Sequence, residues 1–173
     1  SYILPDFVLS NEYLTAQFPE WSVEKIASKT GIRERRIAAD NETALDMAVR
    51  ALGHFFEEHN FDRNEIDFII LCSQSPEYLL PTSACILQER AGLPTHIGAF
   101  DMNLGCSGYI YGLGVAKGLI ETGQAKNIMF VTSDTYSKYT HPKDKSVRTI
   151  FGDAATATLI SAKKETDNSI NYL

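Results

Sequence analysis

Cys106 is the residue of this chain best placed by type and spacing to do chemistry. It lies in the run Phe100-Asp101-Met102-Asn103-Leu104-Gly105-Cys106-Ser107-Gly108. The segment 96–102 reads as a buried strand, Gly105 permits a sharp backbone turn, and the helical stretch that follows can end at Gly123. Cys106 then falls at or just before the first helical turn. The unpaired N–H groups and positive dipole end of a helix start favour thiolate over thiol, which makes this cysteine a candidate nucleophile. Cys72 sits inside the apolar run Phe68-Ile69-Ile70-Leu71-Cys72 and Cys85 on a helical face, so both read as packing residues.

The rest of the chain has to position that corner. The opening Ile3–Asn11 reads as a surface connection, with Ser10 or Asn11 available as an N-cap. Short helices are expected over Glu12–Gln17 and Val23–Lys29, the second ended by Gly31. The charge run Arg33-Glu34-Arg35-Arg36 that follows reads as a solvated face. Apolar residues from Ala44 to Phe55 recur at spacings of three and four, which predicts a helix ending near Asn60. Strands are expected over Ile66–Ser73, 96–102, Ile128–Thr132 and Ala154–Ser161, with another helix over Thr82–Ala91. Lys163–Asn168 reads as a linker or exposed turn, and a strand-like segment comes before Leu173. Strands alternating with helices imply crossovers, hence an α/β domain with a largely parallel sheet covered on both faces.

Composition sets the outer bounds. With 173 residues, 44% hydrophobic and 22% charged, the chain suits one globular domain. A formal net charge of −6 argues against nucleic acid or an anionic membrane surface as partner. No apolar run approaches a membrane span and no secretory signal is visible. Three cysteines, an odd number without zinc-ligand spacing, suit a reducing compartment, and the cytoplasm is the expected location.

Four motifs occur in one order. They are Gly31-Ile32-Arg33-Glu34-Arg35-Arg36-Ile37-Ala38, Pro81-Thr82-Ser83-Ala84-Cys85, Asp101–Gly108 and Phe151-Gly152-Asp153-Ala154-Ala155. In order and approximate spacing they resemble β-ketoacyl-acyl-carrier-protein synthase III. The resemblance implies a thiolase-like fold of two similar halves, each with a five-stranded mixed sheet covered by helices on both faces. Residues 1–173 correspond to the N-terminal half, and the second half is absent from this chain. The family condenses an acyl-CoA primer with malonyl-acyl carrier protein and so starts fatty-acid chains. Cys106 matches the cysteine that takes the acyl group, and a thiolate exchanges readily with a thioester. Its backbone N–H is a candidate oxyanion donor. The family's histidine and asparagine belong to the second half, and His54, His59, His96 and His141 do not fit their pattern. The chain alone is therefore expected to be an inactive fragment.

The resemblance also implies binding residues. Where the family has a tryptophan and an arginine that sandwich the adenine of CoA, this chain has Lys25 and Lys29, with Trp21 four residues too early. Both lysines can attract phosphates but offer no stacking face. A carrier-protein-bound donor would fit that departure. Arg33 is retained, and Lys145 stands where the family has a further CoA-phosphate arginine. Leu80 stands where a partner subunit inserts a side chain into the acyl pocket, which suggests a homodimer and primers longer than acetyl. Gly152 and Asp153 match a supporting pair near the nucleophile. No metal or bound cofactor is implied, since CoA enters as a thioester substrate. Gly108, Gly112, Gly114 and Gly118 imply close packing of the helix after Cys106, on a face where the second half belongs. An isolated fragment is expected to self-associate there. A specialised synthase of polyketide, quinolone or hydroxymethylglutaryl type, or a non-catalytic dimerisation module with Cys106 packed and inert, are the alternatives.

Overall fold

The computed structural model describes residues 1–162, so the Lys163–Asn168 linker and the strand-like end lie outside the described residues. The centre is a five-stranded sheet. It contains β1 (Tyr2–Ile3), β4 (Phe68–Cys72), β5 (Gly98–Met102), β6 (Asn127–Asp134) and β7 (Ala154–Ser161), in the order β1-β7-β6-β4-β5. β4 pairs in parallel with both β5 and β6, whereas β7 runs antiparallel to β6 and β1 antiparallel to β7. The sheet is thus mixed rather than largely parallel. β7 follows β6 as its antiparallel neighbour, a pairing that needs no crossover connection.

Two further strands, β2 (Phe7–Ser10) and β3 (Glu34–Ile37), form a separate antiparallel ribbon. This corrects two expectations. The opening segment is not an irregular connection, because Tyr2 and Ile3 pair with β7, and Phe7–Ser10 pairs with β3. Nor is the whole charge run a solvated face: Arg33 and Glu34 are exposed, but strand alternation turns Arg35 inward, where it is 4% exposed.

The helices are α1 (Asn11–Gln17), α2 (Val23–Thr30), α3 (Ala44–His59), α4 (Ser83–Arg90), α5 (Gly108–Glu121) and α6 (Lys145–Arg148). Alternation along the strands divides the core in two. Ile69, Leu71, Met129, Val131, Ala155 and Ala157 face α3 and α4, while Ile70, Cys72, Ile128 and Phe130 face α5. β5 is an edge strand with only half-buried apolar residues, not the fully buried strand expected from its sequence. Its Asp101 carboxylate turns to the α4 side and accepts from the amides of Ser83 and Ala84, each at 2.7 Å. α4 needs that cap, because its own N-cap Thr82 makes no side-chain bond.

The longest helix carries its own start signal. Thr43 Oγ1 accepts from Asp46 N, while Thr43 N donates to the Asp46 carboxylate at 2.9 Å, a reciprocal capping box. Arg90 of α4 adds an ion pair to Asp46. Burial alone would raise the Asp46 carboxyl, but the hydrogen bonds from Arg90 and Thr43 outweigh it and hold the group below its usual range. A depressed carboxyl contributes stability above the unfolded value of about 3.9, and this is lost as pH falls through the folded value. Asp46→Asn is expected to lower the stability of the folded chain by about 1 kcal/mol at neutral pH. Urea denaturation should show the gap from the parent narrowing below about pH 4. A gap independent of pH would contradict the carboxylate's part in it.

Candidate active site

β5 leads into the corner through Asn103, Leu104 and Gly105, and Ser107 is the N-cap of α5 without a side-chain cap bond. The corner stands at the C-terminal end of the parallel strands, where open α/β sheets commonly bind ligands. Two bonds hold it to β4: Ser73 N donates to Met102 O at 3.1 Å, and the Cys72 thiol donates to Leu104 O at 3.3 Å. Cys106 is exposed. Among the described residues its amide and that of Ser107 meet no acceptor, so two backbone donors stay available beside the sulfur. Gly108 N donates to Gly105 O at 2.8 Å, closing the turn.

At position 105 φ is not in the left-handed region, and a Cβ there would meet the far end of the exposed, flexible Gln74 side chain, which can move aside. The glycines of α5 also separate into two pairs. A Cβ on Gly112 would stand 2.0 Å from the Phe130 ring and one on Gly108 2.4 Å from Cys72 Sγ, so these two seat α5 on its own sheet. Gly114 and Gly118 have open space around them. Beside them Ile110 is 70% and Tyr111 61% exposed, leaving an apolar outer face on α5.

The other two cysteines differ from each other. Cys72 is buried, and burial pushes its thiol up. Cys85 is exposed, contrary to its reading as a packing residue, because it falls on the outward side of α4 while Ala84 and Leu87 fill the core. All four histidines are exposed. His54 and His59 are on α3, across the sheet from α5, and His96 precedes β5 at the end away from Cys106. His141 turns onto its own loop, where Nδ1 accepts from Lys143 N.

A second cluster forms where α6 meets the turn between α1 and α2. The Lys145 ammonium pairs with Glu20 at 2.5 Å and lies 5.8 Å from the Trp21 ring centroid, with Lys25 Nζ at 5.5 Å. The Lys145 ammonium holds the Glu20 carboxyl below the usual carboxylate range. Arg148 lies 5.8 Å from the Phe18 ring and donates to Gln17 Oε1 at 2.6 Å. Of the expected cations, Lys25 and Lys145 therefore converge on one aromatic ring. Lys29 and Arg33 are exposed, and their side chains make no hydrogen bond or ion pair among the described residues, although the Arg33 carbonyl accepts from Asn11 N at 3.2 Å. Sequence reasoning set Trp21 aside on its distance from Gly31. The signal that could have placed it is its position just before the N-cap Ser22, from which an apolar side chain packs back against the first turns of α2, here against Ile26.

Leu80 stands in the β4–α4 loop at 86% exposure, next to Leu79 at 94%. Asp153 is buried and accepts from Ala38 N at 2.8 Å, Ser137 N at 2.9 Å and Ser137 Oγ at 2.5 Å, so it ties β3 to the β6–β7 loop.

With this geometry in view, the chain can be set beside the known proteins it is similar to. Residues 100–172 match the family described as 3-Oxoacyl-[acyl-carrier-protein (ACP)] synthase III. A "Beta-ketoacyl-[acyl-carrier-protein] synthase III 1" from Vibrio vulnificus is 41% identical over 94% of this chain and 51% of its own length. A crystal structure of a 3-oxoacyl-(acyl-carrier-protein) synthase III superposes with a TM-score of 0.92 at 56% identity, covering 96% of this chain and 49% of the other. The chain is synthase III-like over the half it spans. A 3-oxoacyl-(acyl-carrier protein) synthase from Burkholderia xenovorans gives a TM-score of 0.89 at 34% identity, covering 95% of this chain and 47% of that one. The fold is accordingly the thiolase-like half of the synthase III structures, and the chain spans about half the length of the curated relatives it matches.

The burial of the three thiols gives a direct check. Iodoacetamide is expected to alkylate Cys106 and Cys85 in the folded chain and to spare Cys72 until denaturant is added. Peptide mass spectrometry would read this out. Modification of Cys72 at the rate of the other two would contradict its place between the sheet and α5.

Proposed function

We propose that this chain is the thiol-bearing N-terminal half of a condensing enzyme that starts fatty-acid chains, a β-ketoacyl-acyl-carrier-protein synthase III. The observation that carries the reading is the exposed Cys106 on the β5–α5 turn, with unpaired amides beside it. An inert, packed cysteine would sit as Cys72 does, under the helix. The relatives named above, of whose length this chain spans about half, support the same reading.

The Cys106 sulfur, as thiolate, attacks the carbonyl carbon of an acyl thioester. A new C–S bond forms, the donor's C–S bond breaks, and its thiol leaves with the proton taken from Cys106. Amides at the helix start stabilise the negative oxygen of the tetrahedral intermediate. Malonyl-acyl carrier protein then loses carbon dioxide, and the resulting carbanion attacks the Cys106 thioester and expels the thiolate. Residues of the second half serve that step, and the open face of α5 around Ile110, Tyr111, Gly114 and Gly118 is where that half packs. The donor is an acyl-CoA whose phosphates meet Lys145 and Lys25, with Trp21 supplying the planar face that the lysines lack. Arg33 and Lys29 are outer contacts for the same anionic group. No metal or resident cofactor takes part. The enzyme works in the cytoplasm as a homodimer, with the exposed Leu79–Leu80 loop entering the partner's acyl pocket.

Three outcomes test this. With the second half present, acyl-CoA should add one acyl group to the protein, located on Cys106 by peptide mass spectrometry and lost in Cys106→Ala. The 173-residue chain alone should give no ketoacyl product, and product formed by it would overturn the half-site reading. Leu80→Phe in the full-length enzyme should shift primer preference towards acetyl by about tenfold or more in kcat/KM ratio. An unchanged chain-length profile would remove Leu80 from the pocket.

A further inference from the structure

Arg35 is the least expected side chain of the fold. It belongs to a run of charged residues, yet it is 4% exposed. Its Nε donates to the carbonyl of Thr149 at 3.0 Å, Nη2 donates to the same carbonyl, and Nη1 donates to Asn11 Oδ1. No carboxylate forms an ion pair with it among the described residues. A guanidinium buried against neutral acceptors is expensive to desolvate, and its planar fork suits the joining of fixed groups.

What the fork joins are the two walls of the Lys145–Trp21 cluster. On one side, Thr149 closes α6: its amide donates to Lys145 O at 3.3 Å and its Oγ1 to Ser146 O at 2.9 Å. On the other, Asn11 begins α1, and its Nδ2 donates to Ile32 O at 3.0 Å. α1 leads directly into Phe18 and Trp21, the rings over which Arg148 and Lys145 lie. The chain beyond Thr149 is docked on the same strand, because Asp153 N donates to Arg36 O at 2.7 Å. The bonds that hold α6 to the α1–α2 turn directly, Lys145 to Glu20 and Arg148 to Gln17, join exposed side chains. Buried anchorage between the two walls comes from Arg35.

We infer that Arg35 is a positioning residue for the acyl donor, acting through Lys145 by holding α6 at a fixed separation from the turn that carries Trp21. The inference rests on the proposed contact between Lys145 and the donor. Arg35→Met keeps the apolar stem and removes every donor. In the full-length enzyme it should raise KM for acyl-CoA about tenfold. At saturation kcat should stay within about twofold, because the acylated Cys106 is reached whenever the donor is bound. Arg35→Lys, with one ammonium in place of the fork, should fall between the two.

The background decides the route. If Arg35 acts through Lys145, Arg35→Met added to Lys145→Met should leave KM where Lys145→Met alone puts it. A rise by the same factor in both backgrounds would overturn the inference, as would a lowered melting temperature with unchanged KM. If Lys145→Met itself leaves KM unchanged, the donor site is misplaced and the inference falls with it. Should Arg35→Met fail to fold, Asn11→Ala removes only one arm of the fork. It should give a smaller KM increase that also disappears in the Lys145→Met background, and an increase that persists there would count against the inference.

Discussion

The separation between α5 and the sheet governs the rest of the structure. Gly112 lies against the Phe130 ring and Gly108 against the Cys72 thiol, so helix backbone and strand side chains touch without an intervening Cβ. Overpacking of such a contact costs about 1–3 kcal/mol and moves backbone. Any outward shift of α5 would carry Ser107 and Cys106 with it and pull Leu104 O away from the Cys72 thiol. The reactive corner is placed by packing beneath the helix, with its hydrogen bonds following from that placement.

Polar ties do the equivalent job above the sheet. Asp134, at the end of β6, accepts from Gln74 N at 2.7 Å and Ser75 Oγ at 3.0 Å and so fixes the chain as it leaves β4. Asp153 and Arg35 secure the β6–β7 loop to the β2–β3 ribbon. These groups are buried or half-buried and hydrogen-bonded, which is the condition under which polar groups hold loops in one arrangement. The loops around Cys106 are therefore shaped by side chains that take no part in thiol chemistry.

Much of this was legible in the sequence, and the failures have physical reasons. Periodicity identified α3, α4 and β7, the short apolar runs identified β4 and β6, which are buried on both faces, and α5 was read from the glycines at its two ends. β5 was recognised as a strand but placed too deep, since an apolar run does not report how many neighbours a strand has. The short strands β1 and β2 were missed because their pairing partners lie more than twenty residues away, and local residue preference carries no trace of them. Arg35 was missed because a charge in a short strand buries itself only when distant acceptors, here Asn11 and Thr149, come to meet it. Trp21 was set aside by counting along the chain, whereas its place beside Lys25 and Lys145 depends on how the α1–α2 turn meets α6. The cysteine corner itself was legible, although its Gly105 does not use the left-handed backbone conformation open to glycine.

The cap of α4 has a consequence for the order in which the chain can acquire structure. Its first amides are satisfied by Asp101, a residue of the strand that follows the helix, and its own N-cap contributes no side-chain bond. A helix as short as Ser83–Arg90 is marginal by itself in water. A nascent chain that has emerged only as far as Arg90 thus carries an α4 with frayed amides, and the helix becomes secure when β5 has been made and laid beside β4. The edge strand that leads to the reactive thiol is also the latch on the helix before it, so assembly of this half becomes cooperative at that strand.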